Sequence, residues 1–206
     1  MKKGLRFLAV FFIFSLILQT GVFAEKEFSI TNTENGVYMI RSRDEIEKDF
    51  EELRNAAEEE VKALNSITPF DQYAYEYKVE YLPRTKAYAS GKLDGQPTAG
   101  TRIDGYITVN ESKGTPVTVS VSVGMPKVKY VTIDVELGKY TGTSVTGGSI
   151  RLPNPNKYYL AYADKVYEVD GYITYRRLRN SNDDWSVYTK TIGKSLYSQH
   201  FYVKEV

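Results

Sequence analysis

From Asp71 to the C-terminus, apolar and polar residues alternate one by one in a series of short runs. In TPVTVSVSV at 115–123, four valines occupy every second position, and Thr or Ser stands between them. The run YVTIDVEL at 130–137 has the same pattern. Because successive side chains of a β-strand point to opposite faces, this period of two predicts strands with one buried and one exposed face.

More alternating runs follow the same rule, separated by clusters of Gly, Pro, Asn and Asp; they lie at 73–81, 157–163, 166–177, 185–192 and 196–203. The whole series predicts a mostly antiparallel β-sandwich of seven to nine strands, immunoglobulin-like in the loose sense. No helical segments alternate with the strands, so a parallel sheet is not expected. Four tyrosines share one side of the run at 73–81, and we expect that side in the core.

One amphipathic helix is predicted ahead of the strands. Ser42 and Glu45 have the spacing of a capping box, and apolar residues then recur at helical spacing as far as Leu64. The helix is therefore expected from about 43 to 64. Its other face carries most of the nine acidic and four basic residues of this stretch. A solvated surface is the favoured interpretation of that face, and docking of a basic partner along 44–60 is the alternative.

Three segments organise the chain in this prediction. Residues 1–24 are a signal peptide, since Lys2, Lys3 and Arg6 precede an apolar run that ends at a small-residue cleavage site, Ala24. Residues 25–66 hold a short hairpin, marked by Asn35-Gly36, and the helix. Residues 67–206 form the sandwich. The apolar run is shorter than the ~20 residues of a spanning helix, so the exported chain is expected without a membrane span.

Charge and cysteine content exclude several partners and chemistries. Three of the 27 basic residues lie in the predicted leader, so the exported chain has 24 basic and 26 acidic side chains and a net charge of −2. This balance does not favour nucleic acid as a partner. The chain has no cysteine, which excludes disulfides, thiol catalysis and thiolate metal sites. We expect a secreted protein held together by its core alone.

The motif Asp-Gly-Tyr-Ile-Thr occurs twice, at 104–108 and at 170–174. With a period of two, each glycine lies on the core-facing side of its strand, where it leaves room for a bulge or for a large neighbouring side chain to cross the backbone. The sequences around the two copies do not align. The favoured interpretation is two equivalent strands in different sheets, and the alternative is a duplicated binding patch that uses Asp104, Tyr106, Asp170 and Tyr172.

Little in the sequence resembles catalytic equipment. The single histidine, His200, falls on the polar side of its run and is interpreted as a satisfied surface residue. A small carboxylate-dependent glycoside hydrolase stays open as an alternative, provided that Asp104 and Asp170 lie close together across a cleft. No catalytic residue is assigned.

No cofactor is predicted, with one reservation about calcium. Asn180, Asn182 and Asp184 place oxygen-bearing side chains at alternate positions, as in the first half of a calcium loop. The glycine and the acidic residue that complete such a loop are replaced by Trp185 and Thr191. An ordinary turn is the favoured interpretation, with a weak surface calcium site as the alternative.

The predicted function is a secreted, non-catalytic binding module for an extracellular protein or a wall or matrix glycan. The chain has 18 tyrosines and one tryptophan, and exposed rings of this kind suit sugar rings and protein partners. The proposed ligand residues are Tyr106, Tyr172 and Trp185, with Asp104 and Asp170 beside them. A membrane-active alternative rests on the Thr/Ser-rich pair of runs at 116–137, which resembles the inserting hairpins of secreted β-pore formers.

Overall fold

The computed structural model describes residues 28–66, 75–125 and 127–206. The described part of the chain is mostly β, with 59% of those residues in strands and 14% in helix, and it combines several antiparallel sheets with one helix. The predicted fold class is therefore confirmed. The proposed signal peptide lies outside the described residues and stays a prediction.

The described chain begins with a hairpin and the helix. Strand β1 (Phe28–Thr33) pairs with β2 (Gly36–Arg41), and α1 follows at Arg43–Ser66. The turn is one residue earlier than predicted, because Gly36 pairs with Thr33 and belongs to β2. A side chain at Gly36 would lie 2.2 Å from the carbonyl oxygen of Phe201 on the next strand, so this glycine serves close strand packing.

Nine further strands follow α1 in the described part of the chain. Their bounds are β3 Tyr75–Tyr81, β4 Thr85–Lys92, β5 Tyr106–Asn110, β6 Pro116–Met125, β7 Val128–Glu136, β8 Lys139–Ser144, β9 Ile150–Arg151, β10 Tyr159–Leu178 and β11 Ser186–Glu205. The last two are 20 residues each. The sequence had predicted two short strands in place of each. The predicted interruptions do not break the ladder: Asp164 and Lys165 pair with His200 and Gln199, and residues 193–195 pair with residues 168–170. The register shifts instead within the predicted strands, at Val166/Tyr167 and Thr174/Tyr175.

Six strands form the main sheet, in the order β1-β2-β11-β10-β3, and β4 also pairs with β10. Strands β3 and β4 follow one another along the same edge of β10, opposite residues 172–178 and 162–169 respectively. The amide of Leu82, between them, donates to the carbonyl of Gly171 at 2.8 Å. The two short strands therefore act as one interrupted edge strand.

Two small sheets cover one face of the main sheet. One has the order β8-β5-β9, and the other is the pair β6-β7. A single apolar cluster joins the three sheets and includes Ile107, Val135, Ile173 and Phe201, which are almost completely buried. Because residues at odd positions of β10 enter this cluster, its even positions face the other way.

The helix covers part of that second face. Its capping hydrogen bond runs from the Glu45 amide to Ser42 Oγ at 3.4 Å, as predicted. Ile46, Phe50 and Ala57 are buried against the sheet. Around these three residues the contact between helix and sheet is ionic, formed by arginines and carboxylates from both elements. The ion pairs are Arg41–Glu45, Arg41–Asp49, Arg43–Glu168, Arg54–Asp170, Arg84–Glu47, Arg84–Glu168 and Arg84–Asp170.

The acidic face of α1 is mostly exposed, as the favoured interpretation predicted: Glu47 and Asp49 are exposed although they pair with arginines of the sheet side, and Glu45 is half-buried. One prediction about this face of the sheet is wrong. The tyrosine side of β3 is not core: Tyr75 and Tyr81 are exposed. The reason is that β3 is an edge strand whose tyrosine side borders α1, while the core lies on the other face.

The two copies of the repeated motif are one structural solution used in two sheets. The first copy runs into β5 of a small sheet and the second lies in β10 of the main sheet. A side chain at Gly105 would come within 2.3 Å of the Ser144 carbonyl oxygen, and one at Gly171 within 2.4 Å of the Thr191 carbonyl oxygen. Each glycine therefore admits the backbone of a neighbouring strand, where the prediction was a bulge or a large side chain crossing the backbone.

Candidate functional site

The first pair of predicted ligand residues lies around an arginine on a small sheet. Arg151 Nη2 donates to Asp104 Oδ1 at 2.7 Å, and the Arg151 guanidinium carbon lies 5.1 Å from the centre of the Tyr106 ring. The Asp104 side chain is 73% exposed. The three residues form a solvent-exposed surface group, whose role in binding is untested.

The second pair lies beneath α1. Asp170 accepts hydrogen bonds from Arg54 Nη2 at 2.9 Å and from the Gly171 amide at 2.8 Å. Tyr172 Oη donates to Glu60 Oε2 at 3.1 Å, and burial raises the pKa of Tyr172 above its ordinary value. The expectation that Tyr172 presents its ring to solvent is wrong, because the helix covers this part of the strand.

Trp185 lies apart from both pairs, at the start of β11. Lys78 Nζ and the Arg177 guanidinium carbon lie 4.5 and 4.6 Å from the centre of its ring. The ring lines a cleft of about 420 Å³ between the end of the main sheet and the tip of the β6–β7 pair. Two cations therefore lie close to the ring.

The five predicted residues therefore occupy three separate places. Asp104 and Asp170 lie on opposite sides of the main sheet, since β5 packs into the apolar cluster while Asp170 faces the helix. Each carboxylate is paired with its own arginine. This arrangement gives no support to a hydrolase in which the two carboxylates act across one cleft.

The turn between β10 and β11 contains the three proposed calcium ligands. Asn180 has a left-handed φ of 60°, and the Asp183 amide donates to Ser181 Oγ, both typical of a turn. Among the described residues, no group of three or more His, Cys, Asp or Glu side chains is arranged to hold a metal ion. Calcium binding by Asn180, Asn182 and Asp184 stays an untested prediction.

A different group of side chains forms the most continuous aromatic surface. We call it the aromatic row; it consists of Tyr38, His200, Tyr202 and Tyr162, on three adjacent strands of the main sheet. Successive ring centres are 5.8, 4.9 and 5.8 Å apart, and the pairs His200–Tyr202 and Tyr202–Tyr162 are stacked. All four residues are half-buried.

Polar groups lie directly beside the aromatic row. Asp164 Oδ1 accepts hydrogen bonds from Ser90 Oγ and from Tyr202 Oη, the latter at 3.3 Å. Lys204 Nζ lies 4.7 Å from the centre of the Tyr162 ring and 5.3 Å from that of Tyr202. The surface therefore combines ring faces with a carboxylate, a hydroxyl and an ammonium group.

His200 contradicts its sequence interpretation in one respect. Its position on the polar side of β11 is confirmed, since Phe201 and Val203 beside it are buried in the core. However, His200 Nε2 is buried without a hydrogen-bond partner among the described residues, so the histidine is not satisfied. Buried nitrogen atoms without a hydrogen-bond partner are unusual in folded proteins.

The aromatic row stays open because α1 covers only the other end of the same sheet face. Along β10, the residues that contact the helix side begin at Glu168, whereas Tyr162 and Asp164 precede it. In the register of the sheet, Tyr38, His200, Asp164 and Ser90 lie in one line across four strands. Strand pairing between distant parts of the chain creates this surface.

Sequence reasoning missed the aromatic row for a definite reason. Tyr162, His200 and Tyr202 alternate with core residues, which is a visible signal, but the same is true of many tyrosines in this chain. Only the register between β2, β11 and β10 shows that these four rings are neighbours.

Among the described residues, no helix is both long enough and apolar enough to cross a membrane. A scan of protein-family models, a search of curated proteins and a search of solved structures each found no match to this chain.

Proposed function

We propose that this protein is a secreted, non-catalytic binding module whose aromatic row binds a wall or matrix glycan. The observation that carries the proposal is the continuous series of four rings on an open sheet face. Aromatic rings present flat apolar surfaces, and the C–H faces of sugar rings stack on them. Export, predicted from residues 1–24, would place this surface where such glycans occur.

The polar groups beside the rings suit the same ligand. Sugar hydroxyls both donate and accept hydrogen bonds, and Asp164, Ser90 and Lys204 supply acceptors and donors within the same surface. A sheet face also holds its side chains more rigidly than a loop does, which limits the entropy lost on binding. The direction of the row, across the strands, favours an extended chain of sugars over a single residue.

Retention on insoluble polysaccharides tests the proposal. Purified protein is incubated with peptidoglycan, with other wall polysaccharides and with plant or matrix glycans, and the bound fraction is measured over a range of protein concentration. We expect Tyr202→Ala and Tyr162→Ala each to weaken retention on the preferred glycan by about tenfold, as for central aromatic contacts in other interfaces.

Tyr130→Ala is the matched control, since Tyr130 is 69% exposed on the β6–β7 pair, away from the aromatic row. It should bind as the unchanged protein does. Equal retention of all three variants, with their folding verified by thermal melting, would contradict the proposal. Retention on intact walls that is abolished by protease treatment of the walls but not by glycan digestion would identify a protein ligand instead.

A further inference from the structure

Strands β6 and β7 form a hairpin that is separate from the rest of the protein in its hydrogen bonding. They pair with each other over Pro116–Met125 and Val128–Glu136. No backbone hydrogen bond joins these strands to any other strand in the part of the chain that the structure describes. Side-chain contacts therefore hold the hairpin, residues 116–137, on the main sheet.

The two faces of the hairpin differ in character. The face toward the main sheet is aliphatic throughout; it consists of Val117, Val119, Val121, Val123, Met125, Val128, Val131, Ile133 and Val135. The opposite face is exposed; it carries Thr or Ser at 118, 120, 122 and 132, and Lys129, Tyr130 and Asp134 on β7. Strands of ten and nine residues match the ~9–11 residues that a β-strand needs to cross a bilayer.

Two glycines flank the hairpin, one before β6 and one after β7. Gly114 has φ of +126° and Gly138 has φ of +120°, a backbone region that other residues rarely adopt. The two lie against each other, since a side chain at Gly114 would come within 2.8 Å of the Gly138 carbonyl oxygen. Paired glycines just outside both strands are suited to absorb the backbone rotation of a hinge.

The contact beneath the hairpin is incomplete. A cleft of about 430 Å³ lies near its base, beside Pro116 and Glu136, and the cleft of about 420 Å³ lies under its tip, beside Met125 and Lys127. The adjacent strand β4 contributes only small residues to this side, Ala87, Ala89 and Gly91. Because these residues are small, moving the hairpin away from β4 would expose less apolar surface to water.

From these observations we propose that the hairpin swings out on Gly114 and Gly138 and inserts into a lipid bilayer. Its aliphatic face would exchange the core of the protein for acyl chains, and its Ser/Thr face would remain hydrated against hairpins of other copies. Lys127 and Lys129, near the tip, would favour anionic lipids during approach. This activity is independent of glycan binding by the aromatic row.

Dye release from vesicles is the first measurement. Purified protein at micromolar concentration is added to vesicles of phosphatidylcholine and phosphatidylglycerol that contain a self-quenching dye. The emission of Trp185, the one tryptophan of the chain, is followed in parallel. Because Trp185 and the hairpin tip line the same cleft, we expect its emission to change as the dye is released.

Substitution of two adjacent residues by lysine tests which face of the hairpin contacts the lipid. Val119→Lys puts a charge on the aliphatic face, and Ser120→Lys puts the same charge on the hydrated face of the same strand. A lipid-facing charge near the middle of a bilayer is strongly unfavourable, so Val119→Lys should reduce release by about tenfold or more. Ser120→Lys should release dye within about twofold of the unchanged protein.

A second measurement is independent of any folding defect in Val119→Lys. The chain has no cysteine, so Val119→Cys and Ser120→Cys can each be labelled at one site with a fluorophore. Lipids that carry a nitroxide on the acyl chain should quench the label in Val119→Cys and leave that in Ser120→Cys unquenched. Absence of release by the unchanged protein, equal loss in both lysine variants, or equal quenching at both labels would each overturn the proposal.

Discussion

The two faces of the main sheet are covered in physically different ways. The helix α1 is held by three buried apolar residues and a group of arginine–carboxylate pairs. The small sheets on the other face are held almost entirely by aliphatic side chains in one cluster. Ionic contacts depend on pH and salt, whereas apolar burial depends on the area removed from water. The packing of α1 and the packing of the small sheets should therefore be weakened by different changes in conditions or sequence.

The largest expected effect comes from removing one phenylalanine from each side. Phe201 is completely buried in the apolar cluster, so Phe201→Ala should lower the free energy of unfolding by about 3–5 kcal/mol. Phe50 packs between α1 and the sheet, with the Arg84 guanidinium 4.4 Å from its ring centre. We expect Phe50→Ala to cost about 1 kcal/mol less, because a helix with few apolar contacts can settle into the space. Urea unfolding measures both, and equal losses would break the comparison.

The next effect concerns Arg84, which lies near three carboxylates. It contacts Glu47 at 2.7 Å and approaches buried Glu168 and Asp170 at 3.5 Å. Arg84→Met should lower the free energy of unfolding by about 1–3 kcal/mol, since it leaves two buried carboxylates less compensated. Arg151→Met is the matched control, because the Arg151–Asp104 pair is exposed and should contribute less than about 1 kcal/mol. Similar losses in both variants would show that the helix-side pairs act as ordinary surface pairs.

Alkaline pH should act on one tyrosine of the apolar side. Burial, with a contribution from nearby Glu136, raises the pKa of Tyr167 from 10 to about 12. The unfolded chain ionises this tyrosine first, so the stability it contributes is complete below pH 10 and is lost as the pH rises toward 12. Tyr167→Phe should therefore lose less stability than the unchanged protein over that interval, by on the order of 1–2 kcal/mol at pH 12. Parallel pH profiles of the two proteins would exclude this role.

Acid should act first on the helix side, with the smallest effect. A hydrogen bond from Arg84 lowers the pKa of Glu47 below its ordinary value of 4.5. A lowered carboxyl pKa stabilises the folded state above pH 4.5, and this contribution disappears as the pH falls through the folded-state pKa. When the pH is lowered, the protection of amide hydrogens from exchange, corrected for the slower intrinsic exchange in acid, should therefore decrease in α1 before it decreases in β10. Simultaneous loss of protection in both elements would contradict the difference between the two faces.

Periodicity predicted most of the local structure. The capping box and apolar stripe located α1 within two residues of each observed end, and alternation located the hairpin at 116–137. Periodicity was wrong at Asp164 and Lys165, a polar pair that seemed to end a strand. Both residues continue β10. Lys165 is buried, and its ammonium donates to the Glu111 carbonyl at 2.8 Å. A buried lysine depends on a partner 54 positions away, which local pattern does not reveal.

The candidate sites were harder to predict than the fold. Asp170 and Tyr172 have the alternation of an exposed strand face, yet α1 covers them. Tyr162 and His200 have the same alternation and remain open. Periodicity separates the two faces of a strand, but it does not identify which part of a face another element covers.

The amino-acid order alone determined the amphipathic helix α1, the alternating strands and the two close-packed glycines of the repeated motif, because each depends on side-chain period or on the absence of a Cβ atom. Only the tertiary structure decided which polar faces meet the helix, which rings become neighbours and which hairpin stands apart from the hydrogen-bonded sheets. Those features depend on the register of strands and the packing of layers that come from distant segments. Their free energies are sums of contributions from the whole fold, which a local pattern does not contain.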